Sequence, residues 1–102
     1  MNTAFEELIV YNHKNGYSTD FPTILETLLE AKRVARYPFL SCRWWEEYLY
    51  VVELDGTYYG YVWAEANRDE SVRDLGFVFD YESVCKMKPI EKTIIEYVEE
   101  KE

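Results

Sequence analysis

The chain has 102 residues, 48% of them hydrophobic and 18% aromatic, with only four glycines and three prolines. That length suits one domain with one modest core, and the hydrophobic content is too high for a disordered chain. Twenty acids against eleven bases leave a net charge of −9, which argues against direct DNA or RNA binding and against anionic membrane surfaces, because both need cations to meet phosphate.

No run of about 18 apolar residues exists, so no membrane-spanning helix is expected. The first residues, Met-Asn-Thr-Ala-Phe-Glu-Glu, carry acids where a signal peptide needs positive charge, and a cytosolic location is expected.

In chain order, Thr3-Ala-Phe-Glu6 has the form of a capping box, and Phe5, Leu8 and Ile9 follow it at helical spacing. Asn15-Gly16 offers a left-handed stop, so a helix is expected over about residues 4–13, although Leu8-Ile-Val-Tyr11 would also suit a strand. Pro22 and a second capping-box pattern, Thr23-Ile-Leu-Glu26, precede a stripe of Ile24, Leu25, Leu28, Leu29, Ala31 and Ala35. A helix over about 23–36 follows, with Lys32, Arg33 and Arg36 complementing its dipole and Pro38 forbidding continuation.

Strand signals begin after Trp44-Trp45. Residues 46–54 and 57–65 are rich in Tyr and Val and flank Asp55-Gly56, a pair suited to the positive φ of a type I′ turn. Leu75-Gly-Phe-Val-Phe79 reads as a third strand, and Pro89 opens a helix to about residue 100 with a stripe of Ile90, Ile94, Tyr97 and Val98. The expected fold class is α+β: a three-stranded antiparallel meander (about 46–54, 57–65, 75–79) packed with helices (about 4–13, 23–36, 89–100) in one acidic domain.

A two-residue turn fixes the hairpin register, so that paired positions sum to 111. One face then carries Leu49–Val62 and Val51–Gly60, where the glycine would admit a helix and the aliphatic residues would form core. The other carries Tyr48–Trp63, Tyr50–Tyr61 and Val52–Tyr59. Two readings stand for this aromatic face: it lies under a helix, or it is a contact surface of several hundred Å², larger than a monomer usually leaves bare.

The acids favour a contact surface of a particular kind. Residues 1–43 hold five acids and five bases, whereas residues 44–102 hold fifteen and six. Glu46 and Glu65 would pair on the aromatic face, and Asp69, Glu70 and Asp74 lie in the connection beyond it. The candidate partner-binding set is therefore Tyr48, Tyr50, Tyr59, Tyr61 and Trp63 with Glu46, Glu65, Asp69, Glu70 and Asp74. Aromatic anchors rimmed by carboxylates match a basic, partly apolar protein, while surface acids also serve solubility alone.

Catalytic signatures are lacking. There is no Gly-rich phosphate loop and no nucleophile elbow, and adjacent acids are common by chance in so acidic a chain. Cys42 and Cys85 are 43 positions apart and read as reduced, buried thiols, and His13 as a helix-end residue. No cofactor or metal is expected, and no enzyme.

A small, acidic, aromatic-rich domain of this kind resembles two functional classes by analogy. One comprises inhibitors carried by phages and mobile elements, which block restriction or CRISPR nucleases and in part imitate DNA charge; the other comprises immunity proteins against basic toxins. The expected function is a stoichiometric inhibitor docking on a basic nucleic-acid enzyme. The alternative is a homo-oligomer, such as a homodimer, that buries the aromatic face against itself.

Overall fold

A computed structural model describes residues 3–67, 71, 72, 75–93 and 95–100. Two helices, α1 (Thr3–Lys14) and α2 (Phe21–Glu30), precede strands β1 (Lys32–Ser41), β2 (Trp45–Leu54) and β3 (Thr57–Ala66). A single 3₁₀ turn (Tyr81–Ser83) then leads into a short strand β4 (Cys85–Met87). The strands form one antiparallel sheet in the order β1-β2-β3-β4. The fold is α+β.

The first helix lies where the sequence places it, with His13 in its last turn. The cap of α2 differs from the expectation: Asp20 is the N-cap and accepts from the Thr23 N–H at 2.8 Å, with Pro22 in the first turn. Those hydrogen bonds from Thr23, and one from Ser18, hold the Asp20 carboxyl below the usual range.

α2 ends at Glu30, six residues earlier than the stripe suggests. Ala31 turns to extended backbone (φ −66°, ψ 157°) while its N–H still bonds the Thr27 and Leu28 carbonyls. Ala35, the last residue of the supposed helical stripe, instead pairs with Val51. Eight cross-strand pairs with β2 outweigh the modest helix preference of Lys32–Arg36.

The β2–β3 hairpin has the expected register without interruption from Trp45↔Ala66 to Leu54↔Thr57. Its turn holds Asp55 and Gly56 at φ 49° and 78°, both left-handed. Gly60 serves a neighbour other than a helix: a Cβ there would lie 3.1 Å from Met87 Cγ and 3.2 Å from Cys85 Sγ, so the glycine lets β4 side chains close over β3.

The expected third strand, residues 75–79, does not join the sheet. Gly76 adopts φ 97°, and the Phe77 N–H bonds the Val72 carbonyl at 2.9 Å, so this segment is used in turns. Its rings still pack: Phe77 lies 5.3 Å from Trp63 and Phe79 5.7 Å from Trp63, centroid to centroid.

Pro89–Glu100 is not helical among its described residues. The described residues of its apolar stripe are mostly exposed, Ile90 at 67%, Tyr97 at 92% and Val98 at 88%, and Ile94 lies outside the described residues. A lone helix of about 12 residues, here rich in β-branched side chains, is marginal in water without packing. The Cα radius of gyration, 17.2 Å, exceeds the roughly 13 Å of a compact chain this long, in keeping with a C-terminal segment that stands off the sheet.

The core is aromatic. Ala4, Phe5 and Leu8 of α1 and Ile24 and Leu28 of α2 cover Tyr50, Val52, Tyr59 and Tyr61, with Val84 closing one side. The helices are tied together at the buried Asn12, which donates to the Ser18 carbonyl (2.9 Å) and accepts from the Thr27 hydroxyl (2.8 Å). The opposite sheet face is covered more thinly: Val51 and Ala64 are buried, but Leu49 and Val62 only partly. The aliphatic face expected to hold the main core is thus the lesser one.

Candidate functional site

The ten candidate contact residues separate into three groups. Tyr50 (1% exposed), Tyr61 (0%) and Tyr59 lie in the core beneath the helices and present no contact surface. Tyr48 and Trp63 flank that core, half-buried, while Glu46 and Glu65 stand exposed opposite each other at the open end of the hairpin. Asp69, Glu70 and Asp74 lie outside the described residues.

The carboxylates at the open end are engaged with the tyrosines beside them. Tyr48 donates its hydroxyl to Glu46 and Tyr50 donates to Glu65. Glu65 also receives Arg36 Nη1 at 3.2 Å. These bonds hold the phenols protonated: burial first, then donation to Glu65, pushes Tyr50 up to about 12, and the bond to Glu46 raises Tyr48. Tyr59 is likewise pushed up to about 12, by burial and then by Glu7, whose carboxylate accepts its hydroxyl at 3.3 Å.

Strand β1 supplies what sequence reasoning assigned to a helix end. The Arg33 guanidinium lies over the Tyr50 ring at 4.0 Å from its centroid, and Arg36 over Tyr48 at 4.2 Å. Both arginines face the aromatic side because a bulge between Arg33 and Ala35 leaves them opposite Val52 and Tyr50. Both guanidiniums add to the cover over these rings, held by cation–π attraction. The signal in the sequence was the run Lys32–Arg43, which contains four bases and no acid.

A second bulge, between Pro38 and Leu40, shapes an exposed groove beside it. Pro38, Phe39, Leu40 and Ser41 of β1 face Glu46, Glu47 and Tyr48 of β2 across an open groove of about 360 Å³. Phe39 is 61% and Leu40 58% exposed, beside the carboxylates of Glu46 and Glu47. Glu47 is fixed by the Trp45 indole N–H at 3.1 Å. Pro38 carries a helix-stop signal in the sequence and nothing local marks this groove, which exists only once β1 pairs with β2.

Neither cysteine joins this surface. Cys42 is exposed rather than buried, and Cys85, half-buried, contacts Met87 Sδ at 3.6 Å. Among the described residues no cluster of His, Cys, Asp and Glu could hold a metal ion, and no helix is long and apolar enough to cross a membrane.

Comparison of the chain with protein-family models, with characterised proteins and with solved structures returns no match.

Proposed function

We propose that the protein is a small acidic binding module that acts as a stoichiometric inhibitor, docking on a basic nucleic-acid-handling protein. The supporting observation is the groove at the open end of the sheet, where exposed Phe39 and Leu40 stand beside Glu46 and Glu47. An apolar anchor gives such a contact its lifetime, and flanking carboxylates give it rate and selectivity for a cationic surface. The excess acid of residues 44–102 adds to that field, with carboxylates standing where a nuclease would meet phosphates.

The test is titration of basic nucleases, restriction enzymes and CRISPR effectors among them, with the purified protein. Cleavage should fall linearly and vanish near one equivalent for the cognate enzyme. Phe39→Ala with Leu40→Ala should raise the dissociation rate, by roughly tenfold or more if they anchor the contact. Glu46→Lys should slow association and weaken its salt dependence. Binding to a basic partner that none of these substitutions alters would place the contact elsewhere, and absence of binding to every basic enzyme tried would overturn the reading.

A further inference from the structure

The second face of the sheet, away from α1 and α2, holds a groove of about 270 Å³. Its floor is made of small residues, Ala35 and Val51, which pair across β1 and β2. Tyr37 stands beyond them on one side, and Tyr58 and Met87, themselves a pair, on the other. Val34 and Tyr37 are exposed along its β1 rim. Lys88 and Pro89 complete the lining, so the chain leaving β4 is already at the groove when Pro89–Glu100 begins.

We propose that Pro89–Glu100 is a strap that closes in cis, as a helix whose apolar face fills this groove. Pro89 suits a first helical position. Ile90, Tyr97 and Val98, at i, i+7 and i+8, share one helical face, and Lys92, Glu96 and Glu99 fall on the opposite one. The three apolar side chains are exposed in the open arrangement, where the segment lacks only packing. A helix of about 12 residues is about 18 Å long, against about 14 Å across the four strands. Closure therefore covers the face from β4 to β1 and leaves the carboxylates in water. A strand added to the edge of β1 fits the segment less well, because alternation would put Tyr97 on one side and Val98 with Glu96 on the other.

The occupant is the chain's own segment because Pro89 already lines the groove to be filled. No distance has to be spanned before the first turn of the strap meets the sheet. A segment tethered this closely acts at an effective concentration on the order of millimolar, which the same segment of another copy does not match.

Tryptic cleavage of the Lys92–Thr93 bond in the full chain, read by mass spectrometry with no partner present, tests this, because a protease reports the population of the open form. Tyr97→Asp with Val98→Asp in the strap should speed that cleavage by on the order of tenfold, equivalent to about 1.4 kcal/mol of lost closure, and should lower the helical circular dichroism. Tyr37→Asp in the groove should do the same from the other side of the contact, and Val34→Asp repeats the test should Tyr37→Asp disturb the sheet. The cleavage rate of the parent should not change with protein concentration. A parent cleaved as fast as the strap variant overturns the proposal. Protection that grows with concentration overturns closure in cis, and protection lost in the strap variant but kept in both groove variants overturns the groove as its seat.

Discussion

Strands β1 and β2 have the same length, lie side by side and are both rich in aromatic and aliphatic residues, yet one is core and the other surface. β2 is paired on both edges, its register with β3 is unbroken, and α1 and α2 lie over its Tyr50 and Val52. β1 has one neighbour among the described strands, two bulges, a proline, and two arginines that lie over the rings of β2. Composition alone therefore does not say which aromatic residues are for contact. Cover does. The buried tyrosines of β2 and β3 hold the fold together, and of the two strands it is β1 that carries exposed rings, Tyr37 and Phe39.

The sharpest way to break this contrast is to truncate rings on each side of it. Tyr50→Ala with Tyr61→Ala should unfold the domain, since each large-to-small change in a core costs about 3–5 kcal/mol and small domains have little stability to lose. Phe39→Ala with Leu40→Ala should leave the melting temperature within a few degrees of the parent, because both side chains are mostly in water already. Thermal melts of the two variants suffice, and equal losses would erase the distinction between the strands.

Alkaline titration sharpens the same point. Tyr50 and Tyr59 ionise near 12 in the folded protein, against about 10 in an unfolded chain. Their folded values are raised, so the stability tied to the protonated phenols is complete below pH 10 and is lost as pH rises from 10 towards 12. Chemical denaturation across that window should show a steep fall in stability, and Tyr50→Phe with Tyr59→Phe should flatten it.

Gly56→Val targets the turn that sets the hairpin register. Its φ of 78° is open to glycine but strained for a β-branched residue, with a cost of about 1–3 kcal/mol. Space is not the reason, since nothing lies within 4 Å of the missing Cβ. A Gly56→Ala variant should lose less than the valine variant, and an unchanged melting temperature for valine would remove the turn as the register-fixing element.

Much of the hairpin was legible in the sequence because Asp55-Gly56 is a local signal that determines ten pairs at once. The rest depended on long-range choices. Lys32–Arg36 suits a helix end by propensity and becomes strand only because β2 is there to pair with. The stripe of Ile90, Tyr97 and Val98 reads as helical, but an amphipathic face without a surface to bury against supplies little reason to fold. The expected register pairs Glu46 with Glu65, as the structure has it, but three central tyrosines of the candidate contact set are core, because period-two alternation sorts residues onto faces without saying which face the helices will cover. Phe39 and Leu40 carry no local signal of a contact site, because the groove beside Glu46 and Glu47 arises from pairing and a bulge.

The smallest expected effect is also the one with an opposite sign. Tyr61 is fully buried, and its hydroxyl has no hydrogen-bond partner, whereas Tyr50 and Tyr59 each donate to a carboxylate. Burial raises the Tyr61 pKa, and the nearby Arg33 guanidinium offsets that only in part. A buried hydroxyl without a partner is a penalty of about 1–3 kcal/mol relative to its solvated state. Tyr61→Phe removes that group and keeps the ring stacked on Tyr50 at 5.7 Å and edge-on to Phe79 at 6.3 Å. The variant should therefore be as stable as the parent or more stable, by up to about 1 kcal/mol. Tyr50→Phe should be the reverse, since it strands the Glu65 carboxylate with Arg36 as its remaining partner. Equilibrium denaturation of the two phenylalanine variants reads the difference directly: a Tyr61→Phe protein less stable than Tyr50→Phe would mean that Arg33 is a true acceptor-seeking partner of Tyr61 and that the roof over the core is bonded, not merely stacked.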